Sequence, residues 1–271
     1  MNRGLLWKAC WETWTLTALC GLGLLLIEAV EGYALVTLRN EFSMFLANFP
    51  VLEKLMQMLA GADRSLGKLG PDAFPAIAWA HPLALVLMWM HAAAFCTRMP
   101  AGEVDRGSID VLLGLPVSRI QLQVNESLAW VASSAVLLVM FVVGNRMGNA
   151  LAHGPAIEPW RLAMMAGNLL CLYLAVGALA WFVSSLSDRR GRAGSVVAAF
   201  VLFCFLLSYL QPFWSVAERL SFLSLLHYYV PLRILRDGIP PVRDVLVLGG
   251  IGGVFWVAAG LVFVRRDLST L

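Results

Sequence analysis

The sequence predicts an all-α polytopic membrane protein with six transmembrane helices, and three observations predict it. Of 271 residues, 60% are apolar and only 14% are charged, whereas soluble domains run at about 45–50% and about 25%. The mean hydropathy is +0.77. The apolar residues gather into runs of roughly 18–25 residues, each long enough to cross about 30 Å of hydrocarbon at about 1.5 Å per helical residue.

The chain opens on a polar-aromatic stretch, residues 3–12. Trp7, Trp11 and Trp14 recur at i, i+4 and i+7, on one face of a helix, while Arg3, Lys8 and Glu12 supply a polar face. Indole rings favour the headgroup level, so an N-terminal elbow helix lying in the membrane interface is expected. The plainer alternative is that these are the first turns of span one. A cleaved signal peptide is not expected, because the run is long and no small-residue cleavage site follows it cleanly.

Span one is expected at about 14–37 and contains Glu28 and Glu31, one helical turn apart. An acid at the bilayer centre costs roughly 2.5–3.5 kcal/mol. Either the two acids face a polar cavity, or the hydrocarbon ends near Ile27 and both lie at the outer surface. The second option is the cheaper one, since residues 11–27 already nearly span.

Residues 38–78 form a long external connection. Apolar residues at 42, 45, 46 and 49, and again at 52, 55, 56 and 59, predict two short amphipathic helices split at Pro50. Further spans are expected at about 79–98, 127–144, 162–186, 193–210 and 244–264, with a second external segment at 211–243. That segment holds Phe213, Trp214, Tyr228 and Tyr229 among four prolines, and reads as interfacial helices and turns with an aromatic belt.

Six spans place both termini on one side. With that side inside, inner and outer segments each carry ten Lys/Arg, but the inner ones are shorter, and short loops set orientation. The expected location is therefore the bacterial plasma (inner) membrane with both termini cytoplasmic. Gly249 and Gly253 in span six, and Gly144 and Gly148 at the end of span three, have the spacing that lets helices approach closely, within the chain or between subunits.

Chemical motifs are scarce. The five cysteines are scattered singly, the four histidines are dispersed, and neither a disulfide framework nor a metal site is implied. Gly61–Lys68 resembles a phosphate loop but has one residue too many and Leu69 where Ser or Thr belongs. No catalytic motif and no cofactor site is expected on this chain, and no nucleic-acid partner.

That leaves the segment 99–126, between spans two and three. Glu103 and Arg106 can pair at i, i+3. Gly107 breaks or bends the helix. Ser108 to Gly114 forms one or two turns with Ile109, Leu112 and Leu113 on one side and Asp110 on another. Leu115-Pro116 imposes an extended residue and a turn. Ser118 and Gln121 make a capping box, so a new helix begins at Arg119. An apolar edge flanked by Glu103, Asp110 and Arg119 suits protein docking. The alternative is an amphipathic segment resting on the bilayer.

The run E-x-x-x-G-x-I-D-x-L-L-x-L-P-V-S-R, from Glu103 to Arg119, resembles the cytoplasmic signature of exporter-type (type two) ABC transporter permeases. The match rests on Glu103, Gly107, Asp110, Leu112, Leu113, Leu115, Pro116, Val117, Ser118 and Arg119. Asp110 stands where that family usually has Glu, Ser108 where it often has Thr, and Val124-Asn125 departs from its G-K pair. Phe49–Gly61, Ser185–Arg190, His227–Gly238 and Val264–Leu268 are similar to further family segments.

The resemblance implies a permease that pairs with a second copy, with two ATPase subunits carrying ATP and Mg beneath it. It makes 99–126 the cytoplasmic coupling segment, with a coupling helix docked on the ATPase through Glu103, Arg106, Gly107, Ser108, Asp110, Leu112, Leu113, Leu115, Pro116, Val117, Ser118 and Arg119. Membrane lipid, and an extracytoplasmic protein if the subunit transmits force, complete the expected partners. A rival reading is a proton-coupled secondary carrier using Glu28 and Glu31, which requires those acids inside a cavity. No internal inverted repeat supports it.

Overall fold

The structure is a computed structural model that describes residues 3–59 and 74–267. The Gly61–Lys68 stretch and Leu268 lie outside the described residues. Every regular element among the described residues is helical.

Helix α1 (Arg3–Thr37) opens the chain, followed by the short α2 (Arg39–Asn48) and α3 (Pro50–Leu59). Pro50 begins α3, which splits the two short helices where its missing N–H and fixed φ predict. Then come α4 (Phe74–Trp79), α5 (Pro82–Cys96), α6 (Glu103–Asp105), α7 (Ile109–Leu113), α8 (Arg119–Leu151), α9 (Pro159–Leu186) and α10 (Arg190–Leu210). Helices α11 (Ser215–Leu220), α12 (Pro231–Asp237) and α13 (Val242–Arg265) complete it.

Six helices are long and apolar enough to cross a membrane: α1, the α4–α5 pair taken as one run, α8, α9, α10 and α13. Helix α9 is the centre of the bundle: 67% of its most apolar stretch is buried, against 17% for α13, which lies along its surface. Helix α1 runs beside α8, α13 beside α9, and α5 fills the space between α1 and α9.

The end of the bundle that carries Arg3, the 98–119 segment and Asp267 is called the near end below. It is defined by contacts of Lys8 with Glu103 and of Arg119 with the Arg266 carbonyl.

Two expectations change. The N-terminal elbow is not a separate element: α1 runs unbroken through 35 residues. No proline or glycine falls between Leu5 and Cys20 to interrupt it. At about 1.5 Å per residue the helix reaches about 52 Å, so its ends extend past the hydrocarbon. The tryptophan stripe remains outward, with Trp7, Trp11 and Trp14 at 71%, 65% and 55% exposure.

The second change concerns the expected aromatic belt. Phe213 and Trp214 are exposed, but Tyr228 and Tyr229 turn inward. Tyr229 is fully buried because its hydroxyl finds a partner inside, donating to the Trp79 carbonyl at 2.8 Å. Asn168 of α9 pins the same stretch, donating to the Tyr228 carbonyl and accepting from the Val230 N–H, both at 3.0 Å.

The two glycine pairs also separate. A Cβ on Gly144 would stand 2.4 Å from the Leu25 carbonyl, and one on Gly148 would stand 2.1 Å from that of Ala29. Only glycine permits α1 and α8 to approach this closely. Gly249 and Gly253 meet nothing within 4 Å.

Candidate functional site

The near-end segment is built on the last turn of α5. Thr97 donates its hydroxyl to the Ala93 carbonyl at 2.6 Å and closes that helix. Met99 then takes an extended conformation, φ −129° and ψ 131°, inside a wide buried turn over Arg98–Gly102. The interruption exposes backbone polar groups that must be paired. Ser184 of α9 supplies both partners: it accepts from the Ala101 N–H and donates to the Met99 carbonyl, each at 3.1 Å.

Glu103 follows, only 3% exposed. Arg106 donates to it at 2.9 Å, the expected i, i+3 pair. Ser108 donates to its other oxygen. Lys8, reaching across from α1, lies 3.4 Å away and also pairs with Glu12 at 2.9 Å. Burial pushes the Glu103 carboxyl up, but the Ser108 hydrogen bond and the charges of Lys8 and Arg106 outweigh it and hold the group below its ordinary value.

Gly107 adopts φ 71°, the left-handed conformation in which glycine carries no steric cost. The chain therefore turns sharply into α7. Ile109 is fully buried and Leu112 is 7% exposed, so these two anchor the helix. Val111 at 73% and Leu115 at 44% point outward, beside exposed Asp110, Gly114 and Pro116. The outward apolar surface is thus Val111 and Leu115, not the Ile109–Leu112 side that periodicity singled out; that side packs against the protein's own core.

The turn ends at the capping box. Gln121 N–H donates to Ser118 Oγ and Ser118 N–H to Gln121 Oε1, both at 3.1 Å. Arg119, the first residue of α8, donates to the carbonyls of Phe263 at 2.9 Å and Arg266 at 2.6 Å, which fastens the turn to the end of α13. Arg266 in turn donates to the Ser185 carbonyl at 2.8 Å and pairs with Asp188, in the loop between α9 and α10.

Sequence reading missed Arg98. Its guanidinium, 5% exposed, grips Glu12 of α1 with one nitrogen and Glu126 of α8 with the other. The partners lie 86 and 28 residues away, so no local spacing reveals the triad. Its only trace in the sequence is an arginine at the very end of an apolar run.

Glu28 and Glu31 stand away from this segment. Glu28 is fully buried and accepts from Asn145 of α8 at 3.0 Å. Glu31 Oε1 lies 2.6 Å from His81 Nδ1, at the start of α5. Each acid thus lies against a residue from another part of the bundle, Glu28 hydrogen-bonded to Asn145 and Glu31 close to His81.

Among the described residues the chain is all-helical, with six helices long and apolar enough to cross a membrane and a short, anchored helix-and-turn at the end that carries Arg3 and Asp267. The comparison of sequences agrees: residues 11–268 match the family described as ABC-2 family transporter protein, and the chain belongs to that family. The family is a membrane component, not itself catalytic, and its membership implies an ATP-binding partner. No curated protein matches the chain.

Proposed function

We propose that this subunit is the permease of an ABC exporter and that residues 103–119 receive the stroke of a separate ATPase, which holds the ATP and Mg. The near end then faces the cytoplasm, and the 211–243 side faces out. The observation that carries the reading is the tethering of the segment. It presents Val111 and Leu115 outward, yet it is bonded to α1 through Lys8 and to the end of α13 through Arg119, and the turn that leads into it, through Met99 and Ala101, is held by Ser184 of α9. A push on so small a surface is felt by three spans at once. A segment merely resting on lipid has no use for those three attachments.

A second copy of the chain and two ATPase subunits complete the proposed transporter, whose cargo is an unspecified substrate or force passed to an extracytoplasmic protein. The carrier alternative loses its ground, because family membership supplies a different energy source. Glu28 and Glu31 are then ends of interhelical contacts with Asn145 and His81. The test is co-purification: Asp110→Lys is expected to lose the ATPase while still inserting in the membrane. Full retention of the ATPase by that variant contradicts the proposal.

A further inference from the structure

Glu28 is a fully buried carboxyl whose charge nothing around it balances. Its Oε2 accepts from the neutral Asn145 amide at 3.0 Å, and its Oε1 has no hydrogen-bond partner. Among the described side chains no Lys, Arg or His comes within ion-pair distance of it. Glu31 follows one turn later on the same face of α1. Its Oε1 lies 2.6 Å from His81 Nδ1, and its Oε2 is buried without a partner as well.

The pair stands in the far half of the α1–α8 contact, away from the near end. Gly144 and Gly148 of α8 lie against the carbonyls of Leu25 and Ala29, which bracket Glu28 in the chain. One turn on, a Cβ added to Gly32 would stand 2.9 Å from the Asn145 carbonyl. Backbone meets backbone here, and these three glycines form a seal around the acid. His81, by contrast, is partly exposed, so the way to the two acids runs past it from the far end.

A count of charge shows what is owed. A protonated His81 balances Glu31 alone and leaves Glu28 over. Trp79 Nε1, two residues before His81, also lacks a partner, but a neutral N–H cannot offset a buried carboxylate. The Tyr229 hydroxyl, the remaining titratable group that faces Glu28, is neutral and donates to the Trp79 carbonyl at 2.8 Å. Arg146, next to Asn145 on α8, is exposed and donates to the Ile157 carbonyl at 3.3 Å. One positive charge is therefore missing. A divalent metal does not suit: among the described residues no three His, Cys, Asp or Glu side chains converge to hold one.

We infer that Glu28 and Glu31 form a binding site for one small monovalent cation, a proton or an alkali ion, that enters from the far end past His81. The occupant sits on Glu28 Oε1 and supplies the missing charge. With it in place the acid is neutralised inside the glycine seal, and α1 and α8 close on each other. Its loss leaves a bare carboxylate between two helix backbones and loosens the seal. None of this depends on what binds residues 103–119.

The test uses the purified full chain in detergent with choline, sodium or potassium chloride at equal ionic strength. Thermal unfolding and infrared spectra are recorded on the native chain and on Glu28→Gln, which keeps the shape and removes the charge. A proton on the site shows in choline as a protonated-carboxyl band that Glu28→Gln lacks. An alkali ion shows as a rise of about 5 °C in the unfolding midpoint over choline, lost in Glu28→Gln. Either result supports the site and names its occupant. A native chain that shows neither overturns the inference, and so does a Glu28→Gln chain that keeps whichever signal appears. If the amide does not fold, Glu28→Met takes its place, since an apolar side chain of similar volume replaces a buried charge at little cost.

Discussion

Lys8 Nζ lies 3.4 Å from Glu103 Oε1, joining positions 95 residues apart in the chain. The contact ties the first turns of α1 to the first turn of the near-end segment. Lys8 also pairs with Glu12, and Glu12 with Arg98, which reaches Glu126 of α8. A displacement at Glu103 therefore has a continuous charged route into two membrane-crossing helices. Removing Arg98 leaves Glu126 buried without its cation, the costly outcome for desolvated charge.

The outward and inward residues of α7 give separable predictions. Leu112→Ala, at a position 7% exposed, is expected to lower stability by about 2–4 kcal/mol. Val111→Glu, at 73% exposure, is expected to change stability by no more than about 0.5 kcal/mol while abolishing ATPase co-purification. Thermal unfolding in detergent reads the first effect and affinity capture the second. A Val111→Glu variant that still captures the ATPase places docking elsewhere.

The glycine seal predicts position-specific intolerance. Gly148→Ala forces a Cβ to within 2.1 Å of a backbone carbonyl and is expected to cost at least about 1–3 kcal/mol, seen as a lowered midpoint of thermal unfolding. Gly253→Ala meets nothing within 4 Å and is expected to be neutral or to stabilise α13 by about 0.5–1 kcal/mol. Equal effects at the two positions would mean that α1 and α8 do not pack as described.

Acid is expected to release the segment. The folded-state value of Glu103 lies below the ordinary 4.5. Its ionised form therefore adds stability fully above that ordinary value, and the contribution is lost as pH falls from there through the lowered folded value. The stability difference between the native chain and Glu103→Gln is expected to stay constant from neutral pH down to the ordinary carboxylate range and to shrink only below it. Unfolding midpoints measured across that range check this, and a difference that instead shrank above neutral pH would contradict it.

The span-forming runs were legible because hydrocarbon demands them, and so were the split at Pro50 and the Ser118–Gln121 box, which depend on neighbours within three residues. The Glu103–Arg106 pair was legible for the same reason. What sequence could not show depends on distant partners. Arg98 meets residues from two other helices, Tyr229 turns inward to a carbonyl 150 positions away, and Ile109 and Leu112 face the protein's own core rather than a partner. The unbroken α1 was hidden differently: a polar-aromatic start looks like a separate interfacial helix, yet nothing in its residues stops the helix from continuing.

The most direct test of the account is the side of the membrane on which α7 lies, read with Val111→Cys and a membrane-impermeant maleimide. The account predicts no labelling in intact cells, strong labelling in inverted membrane vesicles, and protection there when the ATPase is bound. Labelling of Cys at that position from outside intact cells would contradict it.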